Sequence, residues 1–221
     1  RTPLSSINWY TEILLSDNKS KLNKSQTQYL NEIYLANKRM SILVDDLLNV
    51  SRLELGTFVL NSKTLNLEQV SKQIINELTP KIKEKQQNLV VTFNKDLPSI
   101  EFDQKYLEMI YQNLLSNAVK YTPNKGTIRL DVSSVSDKNV VDGYKIPLDG
   151  VLISVKDNGY GIPVNQQKHI FSKMFRAENA KTIDTDGTGL GLYILLSIVN
   201  YSKGNIWFVS EQNKGSTFNV F

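Results

Sequence analysis

The 221-residue chain contains no cysteine, which excludes disulfide staples, zinc–thiolate sites and cysteine nucleophiles. Its single histidine, His169, rules out a histidine-rich metal site. No apolar run approaches the length of a membrane span, and no signal-peptide pattern opens the sequence. Long blocks of like charge, low-complexity tracts and internal repeats are missing as well. Lys and Arg number 26 against 22 Asp and Glu; the net charge of +4 is too small to argue for nucleic acid. What is there is an ordinary globular composition, 40% hydrophobic and 22% charged, with room for one large domain or two modest ones. The absence of cysteine fits a reducing compartment. The chain opens on Arg1 rather than Met and is read as a piece of a longer or processed protein.

Hydrophobic patterning changes near Gly56. Thr2-Pro3 is a helix start, because proline is tolerated in a first turn. Leu4, Ile7, Trp9, Ile13 and Leu14 give that helix an apolar side, and Ser16 to Asn23 is polar and turn-like. A second, longer helix is expected from about Ser25 to Leu55, with Leu30, Ile33, Asn37, Met40, Val44 and Leu47 at steps of three and four. That heptad spacing makes a narrow seam for partner helices, and a polar Asn37 within it suits register-setting. Gly56 is the expected C-terminal cap. Two helices alone bury such seams poorly. A second hairpin would complete a dimeric four-helix bundle; packing on the rest of the same chain is the alternative.

Beyond Gly56, β-rich runs alternate with helical stretches. Strands are expected within Thr57–Leu65 and at Leu89–Asn94, Ser99–Phe102, Thr127–Val135, Val151–Lys156, Asn205–Ser210 and Ser216–Phe221. Helices are expected over Leu67–Gln87 (with Pro80 as a kink or break), Gln104–Tyr121 and Gly189–Ser202. A polar connection with Gly143, Pro147 and Gly150 precedes Val151, and a long loop runs from Pro163 to Thr188. The pattern predicts an α+β chain: a helical hairpin over 1–56, then a two-layer α/β sandwich over 57–221.

Three segments carry chemistry. In NLLSNAVKYTP (Asn113 to Pro123), Asn113, Asn117 and Lys120 fall near one face of a helix. An amide oxygen is a hard, neutral ligand suited to magnesium, and a neighbouring lysine would offset phosphate charge. In DNGYGI (Asp157 to Ile162), a carboxylate ends a buried-looking strand, and Gly159 and Gly161 allow a tight turn and close backbone approach. Such an acceptor can take the exocyclic amino group of adenine. In DGTGLGL (Asp186 to Leu192), Gly187, Gly189 and Gly191 precede an apolar helix, where free amides and the helix dipole form an anion site. Singly, the three also read as a solvated helix face, a D-N-G turn and a glycine-rich loop. The third is neither a Walker sequence nor a dinucleotide fingerprint.

In this order and spacing, the three segments resemble the ATP-binding domain of sensor histidine kinases and of the wider histidine-kinase, gyrase and chaperone ATPase superfamily. IFSKMFRAENA (Ile170 to Ala180) resembles the family's phenylalanine box and GSTF (Gly215 to Phe218) its final threonine segment. RTPL (Arg1 to Leu4) resembles the tail of its phosphoacceptor box, and DDLLNVSRLELG (Asp45 to Gly56) its dimerisation helix. The resemblance implies Asn117 as the magnesium ligand, Asn113 and Lys120 on the phosphates, and Tyr121 near the nucleotide. It implies Asp157 as the adenine reader, with Gly159, Gly161 and Ile162 shaping the pocket. Phe175, Arg176 and Lys181 would belong to a mobile ATP lid between Pro163 and Thr188, with Arg176 and Lys181 reaching the γ-phosphate. Gly187, Thr188, Gly189, Leu190, Gly191 and Leu192 would close the phosphate side, and Thr217 would also bind the nucleotide. Thr2, four past the histidine, would position water in a phosphatase reaction.

The implied activity is transfer of the ATP γ-phosphoryl group, with Mg2+, to a histidine and then to an aspartate of a response-regulator receiver domain. The implied setting is a homodimer in the bacterial cytoplasm, with no nucleic-acid partner and a parent anchored in the inner membrane through a sensor region elsewhere. The acceptor histidine falls three positions before Arg1, so these residues are expected to bind ATP without phosphorylating themselves. His169, in the polar stretch Asn165 to His169 with no adjacent acid, reads as a surface residue. The alternatives are a superfamily ATPase or a nucleotide-binding interaction module. The first generally carries a water-activating Glu where this chain has Asn113, a poor base.

Overall fold

A capping box opens the long helix of the hairpin. In the computed structural model, which describes residues 2–16, 22–57, 59–184 and 187–221, the Asn23 side chain accepts from Gln26 N at 2.9 Å and Gln26 Oε1 accepts from Asn23 N at 2.9 Å. Helix α1 spans Thr2–Ser16 and α2 spans Lys24–Glu54. Gly56 closes α2 with φ +64, while the N–H groups of Gly56 and Thr57 donate to the Leu53 and Arg52 carbonyls at 3.4 and 3.2 Å. This is the left-handed cap read from the sequence. Most of the turn expected at Ser16 to Asn23 lies outside the described residues.

The chain divides into two compact units, Arg1–Thr57 and Phe58–Phe221. Within the first, the expected seam of α2 splits. Leu30, Asn37 and Val44 are buried or half-buried, whereas Ile33, Met40 and Leu47 are exposed. Asn37 does not look outward: its Nδ2 donates to the Leu4 carbonyl at 2.7 Å and to Asn8 Oδ1 at 2.8 Å, tying α2 to α1. A second stripe, Tyr29, Ile33, Met40, Leu43 and Leu47, stays exposed beside it, as do Ile7, Tyr10 and Leu14 on α1.

In the second unit a five-stranded mixed sheet has the order β2-β4-β7-β9-β8: Asn88–Phe93, Thr127–Val135, Gly150–Asp157, Gly215–Val220 and Ile206–Glu211. β2 and β4 are parallel and every other pair is antiparallel. β1 (Lys63–Leu65) and β3 (Ile100–Phe102) form a separate antiparallel pair. Helix α4 (Gln104–Tyr121) packs between α3 (Leu67–Glu84) and α6 (Gly191–Tyr201), with α4 against β7 and α3 against β2. Alternate residues of β4 (Ile128, Leu130 and Val132) and of β7 (Ile153 and Val155) are buried. A helical hairpin followed by a two-layer α/β unit is the architecture the patterning predicted.

Pro80 does not break α3. The carbonyl it leaves unbonded belongs to Asn76; both residues are exposed, so water can serve that carbonyl. The polar connection before β7 carries an unforeseen hairpin, β5 (Val140–Val141) and β6 (Tyr144–Lys145), closed by Asp142 and Gly143 at φ +48 and +82. The Asp-Gly pair between β-formers is its sequence signal. Tyr144 stacks on Trp207 at 4.3 Å, and Asn219 Nδ2 donates to Asp142 Oδ2 at 2.9 Å. The expected long loop contains a 3₁₀ turn, Val164–His169, and a short helix, α5 (Glu178–Ile183). Six-residue elements are too short to display a period. No helix among the described residues is long and apolar enough to cross a membrane.

Candidate functional site

Helix α4 is the spine of the site. Asp103 caps its start: Oδ1 accepts from Lys105 N at 2.9 Å, and Oδ2 accepts from Asn61 N at 2.9 Å. Farther along, Asn113 Nδ2 turns back onto the Met109 carbonyl at 2.9 Å. Its Oδ1 lies against the first residue of α6, where a Cβ added to Gly191 would stand 2.3 Å away. Any side chain there would separate the two helices. Asn117 is half-buried, and its carboxamide has no partner among the described residues.

The C-terminal end of α4 meets the turn after β7. Tyr160 N donates to the Tyr121 carbonyl at 3.1 Å, and a Cβ on Gly159 would lie 2.2 Å from that same oxygen. Asp157 is only 8% exposed. Its Oδ1 accepts from Gly159 N at 2.8 Å and Ser216 N at 3.3 Å, while Oδ2 has no partner among the described residues. Burial pushes the carboxyl pKa up; the two N–H donors pull the other way. A buried carboxylate with an uncommitted oxygen suits a ligand that brings an N–H donor. Gly161 continues the turn, and its carbonyl accepts from Asn179 Nδ2 at 2.8 Å. Ile162 is fixed by its N–H to Ser210 Oγ at 2.9 Å.

Between these two ends lie cations and a helix start. Lys120 Nζ is 3.1 Å from Asp184 Oδ2. Arg176 Nη2 donates to the Ala180 carbonyl at 3.1 Å and also to the Asp184 carbonyl. Gly187 packs on the Arg176 guanidinium, and Gly189, at φ +71, packs on the Met174 backbone. Thr188 Oγ1 accepts from Leu190 N at 3.2 Å; Leu190 is buried and Leu192 half-buried. The start of α6 thus presents its amides beside Asn113, as an anion site requires. Phe175 is half-buried, with its ring 5.6 Å from that of exposed His169.

The structure therefore gathers Asn113, Asn117, Lys120, Tyr121, Asp157, Gly159, Gly161 and the 187–192 segment around one helix. One expected residue, Thr217, stands apart. Thr217 pairs with Lys156, and the residue in register with Asp157 is Ser216. Paired residues share a sheet face and successive residues alternate, so Thr217 belongs to the opposite face from Asp157. Ser216, which the sequence reading passed over, is the residue of β9 that bonds Asp157, and its Oγ lies 2.9 Å from Ser210 Oγ. Lys181, on α5, is exposed, and its side chain has no hydrogen bond or ion pair among the described residues. Thr2 begins α1 in the other unit; its side chain and Asp186 lie outside the described residues.

The donor set fits a magnesium nucleotide: a neutral amide oxygen and one oxygen of a buried acid, both without a partner among the described residues, with cations and a glycine-bordered helix start beside them. Comparison with known proteins supports a nucleotide site. Residues 102–221 match the family model described as histidine kinase-, DNA gyrase B-, and HSP90-like ATPase, and residues 1–56 match the His Kinase A (phospho-acceptor) domain. The chain is 31% identical over 219 residues to the signal transduction histidine-protein kinase BarA of Escherichia coli, spanning 99% of this chain and 23% of that protein. It is 31% identical over 222 residues to the sensor protein kinase WalK of Staphylococcus aureus, spanning 98% of this chain and 49% of that one. The chain thus spans about a quarter to a half of the curated relatives it matches. Among solved structures, full-length ShkA in complex with AMPPNP superposes with a TM-score of 0.76 at 26% identity, covering 100% of this chain and 42% of ShkA.

Proposed function

The chain belongs to the sensor histidine kinases, and from that premise we propose that residues 57–221 bind magnesium ATP and transfer its γ-phosphoryl group to a histidine of the phospho-acceptor hairpin. Residues 1–56 form that dimerisation and phosphotransfer hairpin. They contain no histidine, so these 221 residues bind ATP without labelling themselves at the family's position. The phosphoryl group then passes to an aspartate of a response-regulator receiver domain docked on the hairpin. Both units work in the bacterial cytoplasm, and any membrane anchor belongs to a sensor region elsewhere in the parent.

One observation carries the reading: a single helix, α4, touches the start of α6 at Asn113 and the turn bearing the buried, half-satisfied Asp157 at Tyr121. That spacing suits one ligand with an amino-bearing purine at one end and phosphates at the other. Asp157 Oδ2 accepts from the adenine amino group. Guanine offers a carbonyl at that position, which the carboxylate repels. Asn117 would hold the metal, which would supply charge neutralisation on the phosphate oxygens. Lys120, Arg176 and the amides at the start of α6 hold the γ-phosphate in line with the incoming imidazole. The imidazole nitrogen forms the new N–P bond as the bond from phosphorus to the β–γ bridging oxygen breaks, releasing ADP. Positioning and charge neutralisation carry the catalysis. A water-splitting ATPase is disfavoured because the position one helical turn before Asn117 holds Asn113, whose amide is turned onto Met109.

The exposed stripe of Tyr29, Ile33, Met40, Leu43 and Leu47, with Ile7, Tyr10 and Leu14, supports a homodimeric bundle. Calorimetry with MgATP tests the core of the proposal. The native chain is expected to bind, and Asp157→Asn and Asn117→Ala to lose binding with circular dichroism unchanged. A longer chain with the acceptor histidine restored is expected to take label from γ-labelled ATP. A native chain indifferent to MgATP defeats the assignment.

A further inference from the structure

Helix α4 ends at Tyr121, and its last carbonyls must find partners outside the helix. The Ala118 carbonyl takes the Thr122 N–H at 3.0 Å. The next two go to side chains from the end of α3. Lys85 Nζ donates to the Val119 carbonyl at 2.7 Å, the Lys120 carbonyl at 3.0 Å and the Thr122 carbonyl at 2.5 Å. Gln87 Nε2 donates to the Val119 and Thr122 carbonyls at 3.1 and 2.7 Å. All three ammonium donors are thus engaged, and the cation sits at the negative end of the helix dipole. The Tyr121 carbonyl is left for Tyr160 N, on the turn that carries Asp157.

The local chain is built to aim both side chains. Gln86 adopts φ +53, a left-handed conformation uncommon outside glycine, and lies between Lys85 and Gln87. The Gln86 and Gln87 N–H groups close α3 by donating to the Lys83 and Ile82 carbonyls at 3.0 and 2.9 Å. Backbone bonds from Lys125 N to the Lys85 carbonyl at 2.9 Å and from Asn88 N to the Gly126 carbonyl at 2.8 Å join the two loops independently of either side chain. Burial lowers the Lys85 pKa, so the charge is kept against a desolvation cost and by the carbonyls it serves.

We propose that Lys85 is a positioning residue of the nucleotide site: by fixing the last turn of α4, it sets the spacing between Asn117 and Lys120 on the phosphate side and Asp157 on the purine side. It acts through the Tyr121 carbonyl, which is reserved for the Asp157 turn because Lys85 and Gln87 satisfy its neighbours. Lys85 itself touches no ligand. The inference rests on the nucleotide reading above, but its first test does not.

That test is amide hydrogen exchange on the ligand-free chain. Lys85→Met is expected to speed exchange at Tyr160 by about tenfold, with the β4 amides unchanged. The second test is MgATP calorimetry well below the melting temperature, where Lys85→Met is expected to weaken binding about 5–10-fold and Lys85→Arg, which keeps a charged multi-donor head, to stay within about twofold of native. A merely structural cap would lower the melting temperature and leave both the Tyr160 exchange and the dissociation constant of the folded protein at native values; that result overturns the inference. If the native chain binds no MgATP, the nucleotide reading fails and the exchange measurement alone decides whether Lys85 holds the turn. Should Lys85→Met not fold, Lys85→Gln, which keeps an uncharged donor, is read by the same two measurements.

Discussion

Replacing Asp184 by Asn should tighten MgATP binding, although Asp184 lies in the segment expected to cover the nucleotide. In the ligand-free chain this residue engages two of the cations assigned to phosphate: Lys120 by its carboxylate at 3.1 Å and Arg176 by its carbonyl. A nucleotide must displace the carboxylate to reach Lys120. The pair is partly exposed, with side-chain accessibilities of 40% for Lys120 and 17% for Asp184. Its worth therefore falls toward the surface range, about 0.5–1 kcal/mol, rather than that of a buried pair. Since 1.4 kcal/mol is tenfold, Asp184→Asn should lower the MgATP dissociation constant about 2–5-fold. Titration calorimetry at two ionic strengths provides the check, because screening should shrink the advantage of the variant at high salt. Asp184→Glu should behave nearly as native. Unchanged or weaker binding by Asp184→Asn would refute the competition and make Asp184 part of the liganded site.

Three further expectations follow from geometry already described. Burial raises the Asp157 pKa, so the folded state holds its proton more tightly than the unfolded state. The stability from that proton is fully present below the ordinary carboxyl value of 3.8 and is lost as pH rises through the raised value. Asp157→Asn should therefore melt higher than native at neutral pH, with the gap closing on acidification in scanning calorimetry, even as nucleotide binding disappears. Thr217→Val should bind MgATP within about twofold of native, because its register puts it on the sheet face away from Asp157. A loss of about tenfold would mean that Thr217 reaches the ligand after all. Leu43→Asp, in the middle of the exposed stripe of α2, should shift the chain to monomer in sedimentation velocity while leaving MgATP binding intact; an unchanged sedimentation coefficient would place the dimer contact elsewhere.

The helix carrying Asn113 to Tyr121 was legible as one span, Gln104–Tyr121, and the structure adds the Asp103 cap that starts it. The three motif segments were legible through their order and spacing, which resemble the histidine-kinase ATP-binding domain; singly, each also fits an ordinary helix face, turn or loop. What stayed hidden is long-range. Thr217 was chosen over Ser216 because β9 alternates without announcing which parity meets β7; only the pairing of Asp157 with Ser216 decides it. The α2 seam mixed two stripes because steps of three and four fit either of two neighbouring faces, and the bonds from Asn37 to Leu4 and Asn8 show which one α1 covers. Lys85 and Asp184 carried no signal, because each matters through a partner some 35 or 64 positions away in the chain.

The two tryptophans fall one to each unit: Trp9 on α1, 59% exposed, and Trp207 stacked on Tyr144 against the sheet. Light emission from the chain is thus already split into two addresses. With Trp207→Phe the remaining signal reports on the hairpin and on whatever covers it; with Trp9→Phe it reports on the sheet. Melting followed through each single-tryptophan chain would reveal whether the two parts come undone together or in turn, with no dye attached.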